Sequence, residues 1–343
     1  MRIKAGASLQ FVRKPLVALV MAFLAISICA IGYKLISQSN VYQILIVGDS
    51  IGNGEGCDDY ANKWFKFIGP HMEETYNRQV EITNVSMGGN SSYAGYARIM
   101  MLEEDTDYDL VIVCYGQNDK EEGFSRYYES ILRAINQKYP SCGVISILES
   151  SQQTYTAKMQ IIQSLAEHYG VSVADTIKAF AESGKAYEEL TNDGCHPNDE
   201  GQRLYYETVI KLIDEMYVKQ KPEQTERSDI PPVNDNMEQF KSFTYYPKEK
   251  FRTVDRLTYE VDVKNISGSL GINYYLPEGE HSITVSADGE NICEKKMWCD
   301  NPHMQECIEV LAEDCAVKET IRLSFSDIEV ADAFKGICIN TMP

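Results

Sequence analysis

The chain has 343 residues, of which 44% are hydrophobic and 24% charged, and its formal net charge is -19. This composition is that of a folded protein and excludes a disordered chain, and the length allows two domains. A polyanion repels nucleic-acid phosphate, so we predict no nucleic-acid partner.

The first apolar segment of the chain predicts a membrane anchor. Residues 15–33 carry no charge, and about 20 apolar residues in a helix span a bilayer. Basic residues precede the segment and put the N-terminus in the cytoplasm. We therefore predict a cytoplasmic tail over residues 1–14, a single-pass signal anchor over residues 15–36, and extracytoplasmic domains after it. A cleaved signal peptide, which would give a secreted protein, is the alternative.

The first predicted strand ends at a serine. Residues 44–47 are apolar and run directly into Gly48, Asp49 and Ser50. A short apolar run bounded by turn residues indicates a buried strand of a parallel sheet. Open α/β sheets bind ligands at the carboxyl ends of their strands, so we interpret Ser50 as a nucleophile.

Strands and helices alternate over residues 42–217, the first predicted domain. The further strands are predicted over residues 79–85, 109–115, 143–148 and 171–174, and the helices over residues 60–76, 93–102, 121–138, 154–169, 176–190 and 199–217. This alternation predicts a five-stranded parallel sheet with helices on both faces. The glycines match neither GxxxxGK[ST] nor GxGxxG in context, so we predict no nucleotide cofactor.

A polar, proline-bearing linker is predicted over residues 218–239, and a β-sandwich over residues 240–343. Its strands are predicted over residues 243–246, 258–263, 271–276, 282–287, 307–311, 320–325 and 336–340. Asp288 and Gly289 form a suitable hairpin turn.

The predicted general base is His196. Asp193 lies three residues before it in a turn, where its carboxylate can reach Nδ1 of the imidazole and leave Nε2 free as the base. The other histidines lack this arrangement: we expect His71 and His168 to be solvated, while His281 and His303 have no acid at a useful spacing.

Three predicted oxyanion-hole donors follow the ends of predicted strands. They are the backbone N–H of Ser50, the backbone N–H of Gly89 and the side-chain amide of Asn118. Because the carboxyl ends of parallel strands meet at one edge, we expect all three donors to converge there.

These blocks, in this order, resemble the SGNH or GDSL hydrolases over residues 43–217. Ser50, Gly89, Asn118 and His196 stand at the four name-giving positions. The resemblance implies a flavodoxin-like fold, a serine nucleophile, an oxyanion hole containing the glycine and the asparagine, and an aspartate, here Asp193, that orients the histidine. Gly88 is an alternative to Gly89, but the spacing from Asn84 favours Gly89.

Gly48 to Gly52 also fits G-x-S-x-G, the nucleophile elbow of α/β-hydrolases. That fold usually places the elbow in mid-chain, with the acid and the histidine on separate loops. Here Ser50 follows the first strand, and Asp193 and His196 share one turn, so the SGNH interpretation is favoured.

Cysteines flank the predicted site. Cys57 follows Ser50 by seven residues and Cys195 lies between Asp193 and His196. We predict a disulfide between the two, which export permits, with two unpaired thiols as the alternative. Cys114 is expected to pack as a small apolar residue. The ten cysteines show no paired CxxC spacing, so we predict no metal site.

The leading functional hypothesis is an extracytoplasmic serine esterase that removes O-acyl groups, such as acetyl, from a carbohydrate or cell-surface glycan. Alternatives are an O-acyltransferase with the same triad, a lipid ester hydrolase, and a non-catalytic surface binding protein. The sandwich offers aromatic residues that either stack on sugars or fill the core: Tyr245, Tyr246, Tyr274, Tyr275 and Trp298. The sequence does not indicate an oligomeric state.

Overall fold

The computed structural model describes residues 41–103, 106–219, 230–275, 277–299 and 306–341, with only the backbone described at residues 298 and 299. The predicted cytoplasmic tail and signal anchor, residues 1–14 and 15–36, therefore lie outside the described residues. Within the described ranges, no helix combines the length and the apolar character needed to cross a bilayer.

The first half of the chain forms the predicted parallel sheet. Its strands are β1 (Val41–Gly48), β2 (Gln79–Asn84), β3 (Leu110–Cys114), β4 (Gly143–Leu148) and β5 (Ser172–Asp175). All neighbouring pairs are parallel, and the strand order is β2-β1-β3-β4-β5. This is the flavodoxin-like order, and it confirms the predicted α/β fold.

The helices of this part are α1 (Ile68–Tyr76), α2 (Ser92–Met101), α3 (Phe124–Lys138), α4 (Ala157–Tyr169), α5 (Thr176–Glu182) and α6 (Asp199–Val218). The helix predicted over residues 60–76 was wrong in its first half, where two 3-10 turns lie at Tyr60–Asn62 and Trp64–Phe67. Pro70 has no backbone N–H and cannot donate a hydrogen bond inside a helix. Because α1 begins at Ile68, Pro70 lies in its first turn, where a backbone N–H has no partner within the helix.

Both faces of the sheet are buried, which explains the uninterrupted apolar strands. On one face, Leu45 and Val47 of β1 pack in a core with α2, α3 and α4. On the other face, Ile44 and Ile46 pack in a core with α1 and α6. The sheet is thus held between helices, and only its strand ends are available for a site.

The second part of the chain contains two antiparallel sheets. The strands are β6 (Phe243–Pro247), β7 (Arg252–Asp255), β8 (Thr258–Asp262), β9 (Ile266–Tyr275), β10 (Gly279–Ala287), β11 (Glu290–Cys299), β12 (Glu306–Val317), β13 (Thr320–Phe325) and β14 (Phe334–Thr341), with a short helix α7 (Ile328–Ala333). The orders are β11-β10-β13-β8-β7 and β12-β9-β14-β6. A shared apolar core joins the sheets, which gives the predicted sandwich architecture.

Strands β7 and β11 are absent from the sequence prediction. Both are edge strands, and β11 carries charged side chains such as Glu294, Lys295 and Lys296 that mask its strand character. The predicted Asp288-Gly289 hairpin joins β10 to β11, and both of its residues have positive φ, as a tight hairpin requires.

The sheet β12-β9-β14-β6 packs against the α/β part. Ile308 and Cys338 lie in the same core as Tyr93 and Tyr96 of α2. A Cβ on Gly271 would lie 2.4 Å from the Tyr93 hydroxyl, so glycine allows the sheet and the helix to approach closely. The two parts are therefore in direct, buried contact.

The end of the predicted linker also packs on the α/β part. The backbone N–H groups of Val233 and Asn234 donate to the Glu129 carboxylate at 2.6 and 2.8 Å. Glu129 is fully buried on α3, and Met237 is buried in the apolar core to which α3 contributes. Residues 230–239 are thus held by hydrogen bonds and apolar contacts that polar linker composition does not indicate.

Candidate active site

Ser50 lies at the carboxyl end of β1, at the tip of a sharp turn. A Cβ on Gly48 would lie 2.7 Å from the Cys114 carbonyl oxygen, so only glycine lets β1 and β3 approach this closely. The turn closes as Glu55 N–H donates to the Ser50 carbonyl at 2.9 Å. Ser50 is 5% exposed, and its position is the one predicted from the sequence.

Side chains from neighbouring segments fix this turn. The Trp64 indole N–H donates to the Ile51 carbonyl at 3.1 Å, and the Asn84 amide donates to the Gly52 carbonyl at 3.1 Å. The Ile51 N–H donates to Asp49 Oδ1 at 2.9 Å. The backbone around Ser50 is therefore held before any substrate arrives.

Asp193 organises the histidine loop. Its Oδ1 accepts the backbone N–H groups of Cys195 at 2.9 Å and of His196 at 2.7 Å, and its Oδ2 lies 2.6 Å from His196 Nδ1. Partial burial would raise the pKa of Asp193, but these hydrogen bonds and the imidazole outweigh burial and lower the pKa to about 2. Asp193 is therefore an anion at neutral pH that holds the proton on Nδ1.

The histidine loop reaches the serine. His196 Nε2 lies 2.8 Å from Ser50 Oγ. Gly56 makes this contact possible, because a Cβ there would lie 2.6 Å from His196 Cβ, and its φ is +97°. With Nδ1 protonated toward Asp193, Nε2 is the acceptor for the serine proton. The structure thus brings Ser50, His196 and Asp193 into one chain of hydrogen bonds.

Gln202, on the first turn of α6, ties the two loops together. Its Oε1 accepts Trp64 N–H at 3.0 Å, and its Nε2 donates to the carbonyls of Glu55 and Pro197 at 3.0 and 3.1 Å. The side chain is fully buried. No signal in the sequence distinguishes this glutamine from the exposed polar residues of an amphipathic helix.

Asn118, one of the predicted oxyanion-hole donors, lies next to the segments that carry the other two. Asn118 Nδ2 donates to Asp49 Oδ2 and to the Asn90 carbonyl, each at 3.2 Å, which places Asn118 between the residues that adjoin Ser50 and Gly89. Gly89 has a φ of +72°, which favours glycine and lets the backbone turn between β2 and α2. Both amide protons of Asn118 are thus engaged, so donation to an oxyanion would share or replace one of these two bonds.

A cluster of buried acids lies behind the serine. Asp49 and Glu149 are fully buried, and one ligating atom from each of them and from Cys114 lies within 4.8 Å of the others. Burial is the main cause that raises the pKa of both carboxyls. The charge of Asp119 further raises the pKa of Asp49, and the charge of Asp49 further raises the pKa of Glu149. Burial also raises the pKa of the Cys114 thiol. Because these groups lie this close together in a buried site, we interpret the cluster as a proton-sharing support for Asp49.

Glu149 directly follows β4, as Ser50 follows β1 by two residues. Its place at a strand end was the only available signal, and sequence reasoning did not use it. Cys114, expected to act as a small apolar residue, is buried in β3 and also donates its thiol to Glu149 Oε1 at 3.5 Å.

The predicted Cys57–Cys195 disulfide is not formed in the structure, where both residues are free cysteines. The Cys57 thiol instead donates to the Gly54 carbonyl within its own turn at 3.3 Å. Cys195 is half-buried, and burial is the main cause that raises the pKa of its thiol to about 11.

The expectations that His71 is solvated and that His281 has no acid partner were wrong. His71 Nε2 lies 2.9 Å from Asp214 Oδ1. His281 Nδ1 lies 2.8 Å from Asp327 Oδ2, and its Nε2 lies 2.9 Å from the Glu278 carbonyl. Asp327 is 46 residues from His281, so no local spacing indicates this pair. His168 Nε2 lies 2.8 Å from the Pro231 carbonyl, and His303 lies outside the described residues.

The aromatic residues proposed for stacking differ in their surroundings. Tyr274 is fully buried, and Tyr245 and Tyr246 are half-buried and pack against the two apolar cores. Tyr275 is 37% exposed, with Lys335 Nζ 4.6 Å from its ring centre. The side chain of Trp298 lies outside the described parts.

A cleft of 650 Å³ opens beside the candidate oxyanion hole. One wall contains Gly89 and Asn118, and the opposite wall comes from the sandwich and contains Tyr274, Lys295 and Glu309. Ligand sites typically occupy about 300–1,000 Å³ and often lie between domains, so the cleft has the size and the position of a substrate site.

Known proteins resemble the α/β part of this chain. The model of the GDSL-like lipase/acylhydrolase family matches residues 46–204. Esterase TesA of Pseudomonas aeruginosa is 27% identical over 196 residues, which cover 55% of this chain and 96% of TesA.

Two solved structures share the fold over both parts. A two-domain esterase (CEX) active on acetylated mannans has a TM-score of 0.66 and 17% identity, covering 91% of this chain and 95% of that one. The same esterase co-crystallised with mannopentaose has a TM-score of 0.67 and 16% identity, covering 91% and 94%. At these identities, the likeness is one of fold.

Proposed function

Since the α/β part of this chain belongs to the GDSL-like lipase/acylhydrolase family and is an ester hydrolase, we propose that it removes acetyl groups from an O-acetylated carbohydrate through an acyl-serine intermediate. The observation that carries the proposal is the hydrogen-bond chain from Ser50 Oγ through His196 to Asp193. The protein with the shared two-domain fold is active on acetylated mannans, which supports a carbohydrate substrate.

The first half-reaction forms the acyl-enzyme. Ser50 Oγ attacks the ester carbonyl as His196 Nε2 takes its proton, and the negative charge develops on the carbonyl oxygen. In this proposal the backbone N–H of Gly89 and the side-chain amide of Asn118 stabilise this oxygen. The hydrogen bond from Asn118 to the carbonyl of Asn90, next to Gly89, supports their assignment. When the intermediate collapses, the bond to the sugar oxygen breaks, and that oxygen takes the proton from His196.

The second half-reaction releases acetate. Water attacks the acyl carbon while His196 Nε2 takes one of its protons, and the bond to Ser50 Oγ breaks as that oxygen recovers the proton. Asp193 remains ionised throughout, because its pKa of about 2 lies far below neutral pH. Asp193 holds the imidazole of His196 in place and stabilises the imidazolium cation, which forms once in each half-reaction.

Acetate release tests the substrate. We expect the protein to release acetate from acetylated xylo- or manno-oligosaccharides, and to prefer p-nitrophenyl acetate to longer p-nitrophenyl esters. A preference for long acyl chains, with no acetate released from sugars, would contradict the proposal and favour a lipid ester substrate. Acetyl groups recovered on an added glycan, rather than as acetate, would indicate an acyltransferase.

We also propose that residues 15–36 anchor the protein and that the esterase faces the extracytoplasmic side. The support is the charge-free segment over residues 15–33 and the basic residues before it. Protease added to intact cells should then digest the esterase in the membrane fraction. Protection of the enzyme until lysis would contradict the orientation, and enzyme in the medium would indicate cleavage of the segment.

A further inference from the structure

The wall that the sandwich gives to the cleft is built around one carboxylate. The Tyr274 hydroxyl donates to Glu309 Oε1 at 3.2 Å, and Lys295 Nζ pairs with Oε2. Lys295 Nζ also donates to the Val310 carbonyl at 3.4 Å. Tyr274 is fully buried, so the carboxylate is held on one side by a side chain that packing fixes.

A direct connection links this wall to the candidate oxyanion hole. The Asn90 side chain donates to the Glu306 carbonyl at 2.9 Å and accepts the Ile308 N–H at 3.1 Å. This amide pairs with the edge of β12 as a neighbouring strand would. Gly89, the candidate oxyanion donor, directly precedes Asn90, and Glu309 of the wall directly follows Ile308. The hydrogen bond between Asn90 and Ile308 therefore connects the neighbours of these two residues.

The chemistry of the cleft indicates an uncharged polar ligand. Its lining includes both basic residues, Lys295 and Lys296, and acidic residues, Glu309 and Glu313. The mixed charge favours neither a polyanion nor a polycation. The fixed carboxylate can accept hydrogen bonds from hydroxyl groups, and the ammonium beside it can donate to them. Neighbouring hydroxyls on a sugar ring offer both kinds of partner.

The comparison with TesA separates this wall from the hydrolytic chemistry. TesA is an esterase, and 96% of its length is matched by 55% of this chain. The remaining part of the chain has no counterpart there, so ester hydrolysis by a relative proceeds without it. The sandwich can therefore determine which alcohol part of an ester binds next to Ser50.

We propose that the cleft is the subsite for the sugar part of the ester, and that Glu309, held by Tyr274 and Lys295, binds its hydroxyl groups. The sandwich is thus part of the substrate site. The inference rests on the proposed function, because it takes the alcohol of the ester to be a carbohydrate. It adds that residues of the sandwich determine which sugar esters the enzyme accepts.

Paired substrates test the inference. Glu309→Gln and Lys295→Met should lower kcat/KM for acetylated xylo- or manno-oligosaccharides by roughly 10-fold or more, chiefly through KM, since each loses a hydrogen bond to a charged group. Activity on p-nitrophenyl acetate, which has no sugar to bind, should stay within about twofold and reports that the variants fold. Glu290→Gln and Lys264→Met, at exposed positions of the sandwich, serve as matched controls.

The outcomes separate the two proposals. If wild-type protein releases acetate from the oligosaccharides and Glu309→Gln does so equally well, the subsite is overturned and the proposed function stands. An equal loss on both substrates overturns the subsite as well, because it indicates a structural role. If wild-type protein cleaves p-nitrophenyl acetate but none of the sugar esters, the carbohydrate substrate and the subsite are overturned together.

Discussion

The α/β part and the sandwich each contain a histidine bonded through Nδ1 to an aspartate, with a serine close by. In the first, His196 Nδ1 lies 2.6 Å from Asp193 Oδ2 and Nε2 lies 2.8 Å from Ser50 Oγ. In the second, His281 Nδ1 lies 2.8 Å from Asp327 Oδ2. The two pairs differ in what their second ring nitrogen faces.

His281 Nε2 faces the Glu278 carbonyl at 2.9 Å, and Ser326 Oγ donates to Asp327 Oδ2 at 2.7 Å. A carbonyl can only accept, so His281 keeps a proton on each nitrogen when both bonds are made. Burial would lower the pKa of His281, but the bonds to Asp327 and Glu278 outweigh burial and raise it. The second pair is therefore a structural ion pair, whereas the hydroxyl that His196 faces can give up its proton.

The largest expected effect separates the two histidines by activity. His196→Ala should lower kcat on p-nitrophenyl acetate by roughly 10⁴–10⁶-fold, because the serine loses its base. His281→Ala should leave kcat within about twofold. Steady-state kinetics on both purified variants makes the test, and a comparable loss in His281→Ala would contradict the distinction.

The two aspartates sharpen the comparison. Asp193→Asn should lower kcat by roughly 10²–10⁴-fold, because an amide no longer stabilises the imidazolium or fixes its tautomer. Asp327→Asn is the matched substitution and should not change kcat. Equal activity of Asp193→Asn and the wild type would remove the orienting role from Asp193.

Asn118 gives a smaller expected loss. Asn118→Ala should lower kcat by roughly 10²-fold, near the lower end for an oxyanion-hole donor, because both of its amide protons already have partners. KM should change little if Asn118 acts on the transition state. A raised KM with unchanged kcat would show that Asn118 binds substrate instead.

The smallest effect concerns stability and belongs to the second pair. The pKa of His281 is raised above its ordinary value of 6.5, so the pair stabilises the fold fully below that pH and less as pH rises through the folded pKa. His281→Gln should lower the free energy of unfolding by about 1 kcal/mol at pH 5.5, and by less at pH 9. Urea titrations at both values test this, and a loss that grows with pH would contradict it.

Sequence reasoning located the first pair and missed the second for a physical reason. Asp193 and His196 are three residues apart, so one turn fixes their contact, and Ser50 directly follows an apolar strand. Asp327 reaches His281 only through the packing of the sandwich. Edge strand β11 was missed because its charged residues hide the alternation.

Contacts that depend on the packing of distant segments were also missed within the site. Strand ends predicted that Ser50, Gly89 and Asn118 would gather at one edge. They did not predict that Asn90 would pair with β12, because that contact depends on how the two domains pack. The wall formed by Glu309 could therefore be described only from the structure.

Labelling with a serine-directed fluorophosphonate tests the central claim most directly, because the reagent reacts only with a serine that a neighbouring base activates. Peptide mapping of the labelled protein should find one adduct, on Ser50, which is lost in Ser50→Ala and retained in Ser326→Ala. An adduct on Ser326, or undiminished labelling and ester cleavage by Ser50→Ala, would contradict the account.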